Sequence, residues 1–169
     1  IDFGVGDVIV PKQEKRKIPT QLDDFASPTV NTYSLETTIA EKLDAILDLM
    51  EFSSRMKDYY DIYYLANKFD FDGATLTKAL KKTFENRGHA FTIEQFEQVL
   101  TFGNDDAMQK KWKAFCKKID TKTDDFNAVL RTIKKFLTEP YKAAVADIKY
   151  TKIWLANNNS WIQGGNDND

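Results

Sequence analysis

Five charged residues on two neighbouring stretches stand at spacings that could gather them into one polar cluster. Lys42 interrupts a strongly apolar stretch, Thr38-Ile39-Ala40-Glu41-Lys42-Leu43. At about 100° per helical residue it lies about 70° from the centre of the apolar stripe, beside the small residues Thr38 and Ala45. A long cation at a core edge, flanked by small side chains, can reach into a cleft and meet an anion. It can equally snorkel to Asp61 or Glu41. A second stretch, Ser53-Ser54-Arg55-Met56-Lys57-Asp58-Tyr59-Tyr60-Asp61, is dense in charge. Arg55 and Asp58 are spaced i,i+3 and Lys57 and Asp61 i,i+4, the spacings at which helical side chains meet. Yet this segment is apolar nearly all round, so some of its charges must be buried or line a pocket. A buried charge must be paired or hydrogen-bonded. Lys42, Arg55, Lys57, Asp58 and Asp61 therefore form the best polar cluster in the chain. A functional site and a structural network are both open readings of it.

Other chemistry is scarce. The chain has one Cys (Cys116) and one His (His89). That excludes an internal disulfide, multi-cysteine zinc or iron–sulfur sites, and every multi-histidine ligand set. His89 follows Arg87-Gly88 and reads as an exposed loop histidine; Cys116 lies on an apolar stripe and reads as a small buried hydrophobe. Lys110, Lys111, Lys113, Lys117, Lys118 and Lys122 invite a nucleic-acid reading. Helical geometry turns Lys110, Lys113 and Lys117 away from the stripe of Trp112 and Ile119, and a solvated face explains them fully.

The elements that must hold the first cluster are helical. Leu35, Ile39, Leu43, Ile46, Leu47 and Met50 recur on one face, with Ser34 as N-cap. Ser54 opens a second helix through about Asn67, with Met56, Tyr60, Tyr63 and Tyr64 on one side and Tyr59, Ile62 and Leu65 widening the apolar face. Asp72-Gly73 opens a third, with Leu76, Leu80 and Phe84, ending at Gly88 as a left-handed cap. Thr92 to Gln95 has the capping-box pattern. Further stripes are Met108, Trp112, Phe115, Cys116 and Ile119, then Phe126, Val129, Leu130, Ile133 and Leu137. Pro140 suits the first turn of a last helix with Tyr141, Ala144, Val145 and Ile148. Residues 1–33 differ: Ile1, Phe3 and Val5 alternate with Asp2 and Gly4, Val8-Ile9-Val10 follows, and Pro11, Pro19 and Pro28 exclude a helix. One or two strands with long connections are expected there, and Lys12 to Lys17 is polar and charged. The expected organisation is a β-rich entry segment over 1–33, a helical domain over 34–149, and a tail over 150–169 with a hairpin around Asn157-Asn158-Asn159, disordered from Gly164. The fold class is thus mainly α, a bundle-like array of about seven helices behind a short β-rich segment.

The chain has 169 residues, 24 Lys+Arg against 26 Asp+Glu, and 42% hydrophobic residues. That suffices for one core. The near-zero net charge argues against a protein dedicated to coating nucleic acid. Apolar runs are too short to span a bilayer, no signal peptide is visible, and a lone thiol suits a reducing compartment, so a cytoplasmic protein is expected. Residue 1 is Ile within strand-like residues, as expected of a piece of a longer protein.

The first two helices carry a resemblance. Ser34-Leu35-Glu36-Thr37-Thr38-Ile39-Ala40-Glu41-Lys42-Leu43, followed by Ser54-Arg55-Met56-Lys57-Asp58-Tyr59-Tyr60-Asp61-Ile62-Tyr63-Tyr64-Leu65, resembles the AbiEii/AbiGii family. These are nucleotidyltransferase-like toxins of bacterial toxin–antitoxin and phage-defence (abortive infection) systems. The opening Ile1 to Asp7, Thr83-Phe84-Glu85-Asn86-Arg87 and Trp112-Lys113-Ala114-Phe115 are similar as well, so the likeness runs from residue 1 to about 140. The resemblance implies a polymerase-β-like nucleotidyltransferase with a helical C-terminal part, transferring a nucleotide from an NTP to an acceptor (tRNA in characterised relatives), and a cognate antitoxin as partner. It maps the family's lysine to Lys42 and its later aspartate to Asp58. Lys42 would contact the triphosphate and Asp58 would orient Lys42 or a phosphate-bound group; Arg55 and Lys57 would add positive field; Asp2 would join a Mg2+ site. The sequence also departs from the pattern. Such transferases need Gly-Ser followed by an Asp-x-Asp strand whose carboxylates hold metal. No Gly-Ser is present, and Asp70-Phe71-Asp72 matches the letters alone, reading as a loop and cap. The metal motif is thus expected upstream of residue 1 or not at all, and these residues alone are not expected to catalyse transfer. The alternative is a non-catalytic helical module that docks an antitoxin.

Overall fold

A computed structural model describes residues 8–12, 14–17, 26–119 and 125–164. Along the chain lie β1 (Glu14–Lys17), β2 (Thr29–Thr32), α1 (Leu35–Leu49), α2 (Met56–Lys68), β3 (Phe71–Asp72), α3 (Gly73–Arg87), α4 (Ile93–Thr101), α5 (Asp106–Lys118), α6 (Phe126–Ala146), β4 (Lys152–Leu155) and β5 (Ser160–Gln163). Single 3-10 turns follow α1 and α4. The described residues are therefore mainly helical, with six α-helices rather than the seven expected.

The difference comes from Pro140. It lies inside α6 and does not begin a new helix. Proline has no N–H for the carbonyl four residues back, here that of Phe136. The indole Nε1–H of Trp161 donates to that carbonyl at 3.0 Å. A partner from β5 thus satisfies the acceptor that the proline leaves open, and the helix continues.

Local chemistry explains most other boundaries. The Ser34 hydroxyl accepts from the Thr37 amide at 3.1 Å and caps α1. Thr92 and Gln95 form the reciprocal capping box of α4, and Gly88 ends α3 at φ 69°. Ser54 is not the cap expected of α2. Arg55 is its N-cap, and the Ser53 hydroxyl accepts from the Arg55 amide at 3.0 Å. Nor does Val8-Ile9-Val10 form a strand. Val10 is instead buried on the start of α1: its N–H donates to Thr37 Oγ1 at 2.8 Å, and its carbonyl accepts from Ser34 Oγ at 2.6 Å. The strands of this segment are β1, in the charged stretch after Pro11, and β2, which pair antiparallel with Glu14 opposite Thr32 and Lys17 opposite Thr29.

α6 runs against α2, α3 and α4, while α1 lies against α2 and α3. Leu43 and Ile46 of α1, Tyr59 and Ile62 of α2, Leu76 and Leu80 of α3, Phe96 of α4, Trp112 of α5 and Ile133 and Phe136 of α6 share one core. The hairpin of β4 and β5 joins β3 in an antiparallel sheet, with Phe71 opposite Trp154 and Trp154 opposite Trp161. Trp154 is fully buried, and its indole N–H donates to the Ala66 carbonyl at the end of α2, 2.7 Å away. Asp70-Phe71-Asp72 is short strand plus cap: Asp72 accepts from the Thr75 amide at 2.8 Å, and Asp70 accepts from the Ala156 amide at 2.8 Å. The expected disorder over residues 165–169 lies outside the described residues.

Candidate functional site

α1 and α2 lie side by side and bring the five charged residues of the first cluster together. Lys42 Nζ stands 3.2 Å from Asp58 Oδ1 and 2.6 Å from Asp61 Oδ2. Arg55 Nε stands 2.6 Å from Asp58 Oδ2, and Lys57 Nζ 3.5 Å from Asp61 Oδ2. Both helical pairings read from the spacing are present, and Lys42 joins them across the two helices.

Burial grades these groups. The Asp58 side chain is 3% exposed, Lys42 18%, Asp61 23% and Arg55 59%. Asp58 is the fixed centre, since both its oxygens hold cations. Asp61 is a wetter carboxylate shared between two lysines. An ammonium has three donors, and the described partners of Lys42 engage two. Lys111 of α5 steadies the approach to α2: its ammonium donates to the carbonyls of Glu51 and Ser53, both at 2.9 Å. Next to Asp58, the Tyr59 phenol is fully buried and its hydroxyl has no partner among the described residues. Burial, with the Asp58 charge second, pushes its pKa well up.

A second polar cluster lies where α1 meets the end of α3, and the sequence reading missed it. Asp44 is buried, with Oδ1 2.9 Å from His89 Nδ1 and Oδ2 3.5 Å from Arg87 Nη1. Arg87 also pairs with Glu41, and His89 Nε2 lies 3.7 Å from Asp48. His89 is thus not the free loop histidine expected. Burial raises the pKa of Asp44 and outweighs the opposing pull of His89. The signal was present: Glu41, Asp44 and Asp48 form one acidic stripe on α1 at i, i+3 and i+7. Cys116 is half-buried against the core, and Tyr64, expected on the apolar side of α2, is exposed.

Metal chemistry finds no ligand set here. Among the described residues no three of His, Cys, Asp and Glu converge to hold an ion; both oxygens of Asp58 and Oδ2 of Asp61 are engaged by lysine or arginine. Asp2, the expected Mg2+ ligand, lies outside the described residues. No helix among the described residues is long and apolar enough to cross a membrane.

The Ala-Glu-Lys-Leu stretch of α1 and the Arg-x-Lys-Asp stretch at the start of α2, which carry the toxin resemblance, are thus joined by ion pairs. The family model "Nucleotidyl transferase AbiEii toxin, Type IV TA system" matches residues 1–138, and the chain belongs to that family. The match takes in α1 to α5 and most of α6, and stops before β4 and β5. No curated protein and no solved structure matches the chain.

Proposed function

We propose that this chain supplies the phosphate-contacting part of a nucleotide-transferring toxin, with Lys42 as the group that meets the NTP phosphates and Asp58 as the residue that positions it. The fold reading that accompanies this is a helical portion serving a polymerase-β-like transferase core. One observation carries the proposal: the Lys42 ammonium bridges a buried, doubly held carboxylate and a wetter, shared one. Asp58 cannot leave without stranding Arg55 and Lys42. Asp61 can leave Lys42 and keep Lys57. An incoming phosphate therefore displaces Asp61 from Lys42 while Asp58 keeps the ammonium aimed. Arg55 and Lys57 add positive field at the same edge. The metal that such transfer uses has no ligand set among the described residues, so the role proposed for this cluster is binding and orienting phosphate. The acceptor is an RNA, tRNA by the resemblance; a cognate antitoxin holds the toxin in check; and the setting is bacterial cytoplasm and phage defence.

The test, made on the full-length toxin, is transfer of labelled nucleotide onto RNA, together with growth arrest on expression. Lys42→Ala is expected to lower transfer by about 100-fold or more, the scale of losing one charge-stabilising donor, whereas Asp61→Asn retains it. Unchanged transfer with Lys42→Ala would overturn the assignment.

One observation favours a second reading, a helical module that docks the antitoxin without chemistry. Lys42, Arg55 and Lys57 each already have a carboxylate partner, as a closed structural network requires. Phe52, 83% exposed beside half-exposed Leu49, would then serve as an apolar contact. On this reading Phe52→Ala weakens antitoxin binding and Lys42→Ala does not affect the toxin's output.

A further inference from the structure

Two surface features of opposite charge adjoin at α4. The first is the 3-10 turn Met50–Phe52 that follows α1. Phe52 is the most exposed large apolar side chain among the described residues, with Leu49 partly exposed beside it. The turn that carries it is fixed. Met50 stands at φ 46°, a positive φ that an L residue adopts only where its surroundings impose it. The Ser53 amide donates to the Met50 carbonyl at 3.1 Å, and Ser53 is buried. The Lys111 ammonium donates to the carbonyls of Glu51 and Ser53, on either side of Phe52 in the chain. An unconstrained turn is free to fold a phenylalanine away from water; this one holds it out. A rigid aromatic side chain presented to solvent has the form of an interface anchor, because little freedom remains to be lost on binding. Its surroundings are acidic: Glu51 and Asp105 line one depression with Gln98 and Thr101.

The second feature is a groove of about 610 Å³ between α4 and α6. Ile93 and Leu100 of α4, both half-buried, form its apolar side. Arg131, Lys134 and Lys142 form the other, at i, i+3 and i+11 along one face of α6, a length of about 16 Å. None of these three cations has an ion pair among the described residues. Glu97 is the one carboxylate among the described lining residues. The groove is thus apolar and basic where the Phe52 turn is apolar and acidic. Thr101 lines both the groove and the depression beside the turn, so the two features meet across the end of α4.

We propose that this surface joins two copies of the chain about a two-fold axis, the Phe52 turn of one protomer seated in the α4–α6 groove of its partner and the reverse. A surface that carries a projection and its complement side by side closes into a pair in which each is used once per copy. Phe52 and Leu49 meet the apolar side of the groove, while Glu51 and Asp105 face Arg131 and Lys134. RNA fits less well, because the acidic turn beside the basic groove repels a phosphate backbone. The pairing gives Phe52 a different occupant from the antitoxin reading above, and it holds whichever role the Lys42 cluster has.

Sedimentation velocity of the full-length toxin over a range of concentrations, without antitoxin, tests the proposal. The expected result is a dimer that dissociates on dilution and weakens as salt rises. Phe52→Ser changes an exposed side chain and is expected to weaken the dimer about ten-fold or more, as loss of an interface anchor does. Glu51→Lys alone, and Arg131→Glu/Lys134→Glu alone, set like charges in both halves of the contact and are expected to be monomers. Mixed together, these two variants again set opposite charges in both halves, and the dimer is expected to return. Unchanged circular dichroism of each variant separates loss of contact from loss of fold. The proposal is overturned if the toxin is a monomer throughout, if none of the variants changes its dissociation, or if the mixture does not reassociate. It is also overturned if Phe52→Ser leaves the dimer intact and weakens antitoxin binding instead, or if a single-stranded RNA oligonucleotide binds at Arg131 and Lys134 while the toxin stays monomeric.

Discussion

At the scale of residues, the chain is governed by two buried aspartates on neighbouring helices. Asp58 gathers Lys42 and Arg55. Removing it leaves two cations at a largely dry contact, and breaking a fully buried pair costs about 3–5 kcal/mol. Arg55 is mostly exposed and Lys42 partly so, which lowers the expectation for Asp58→Ala to about 1–3 kcal/mol. Urea denaturation measures it, and a loss below a few tenths would mean that Asp58 does not anchor the cluster. Asp44 behaves differently. Burial, with the Asp48 charge adding to it, raises its pKa despite His89. A carboxyl raised on folding contributes stability below its unfolded pKa and loses it as pH rises through the folded one. Asp44→Asn removes this titration. The stability of the native protein relative to Asp44→Asn is therefore expected to fall as pH rises from about 4, with Glu41, Asp48, Arg87 and His89 unchanged in both. A difference that grows with pH would reverse the assignment.

At the scale of elements, the instructive case is α6. Helical spacing on both sides of Pro140 was legible, but its continuity was not. The carbonyl that the proline cannot serve is served by Trp161, 25 residues away in sequence. Trp161→Phe should cost stability through the lost donor and some packing. In a Pro140→Ala background the helix supplies its own N–H to Phe136, so the same change should cost about 1 kcal/mol less. A double-mutant cycle by thermal denaturation reads this coupling, and strict additivity would argue against it. The junction of α3 and β4 is equally constrained. A Cβ at Gly73 would stand 2.6 Å from the Lys152 carbonyl oxygen and 2.6 Å from the Tyr150 ring. Backbone cannot step aside as a side-chain tip can, so Gly73→Ala is expected to cost about 1–3 kcal/mol, read by urea denaturation.

At the scale of the whole molecule, the family match and the physical core do not end together. The match stops at residue 138, yet Trp154 is fully buried and its indole reaches the end of α2. Phe136 of α6 stacks near both Trp154 and Trp161, at 5.0 and 5.9 Å between ring centroids. The hairpin is therefore a wall of the core. Trp154→Ala is expected to cost about 3–5 kcal/mol, read as a lowered urea midpoint; a surface-like effect would show that the hairpin is dispensable.

The sequence by itself determined the helical class, the caps at Ser34, Gly88 and Thr92, the apolar stripes and the charged quintet, because each depends on neighbours within a turn or two. The same local patterns carried the toxin-family likeness. Tertiary structure alone decided which charges meet. Lys42 chooses Asp58 and Asp61 because α1 lies on α2, and Asp44 captures His89 and Arg87 because the end of α3 returns to α1. It also decided that Pro140 does not end a helix. Those outcomes depend on groups far apart in the chain, whose hydrogen bonds and desolvation are fixed only when the elements close on one another.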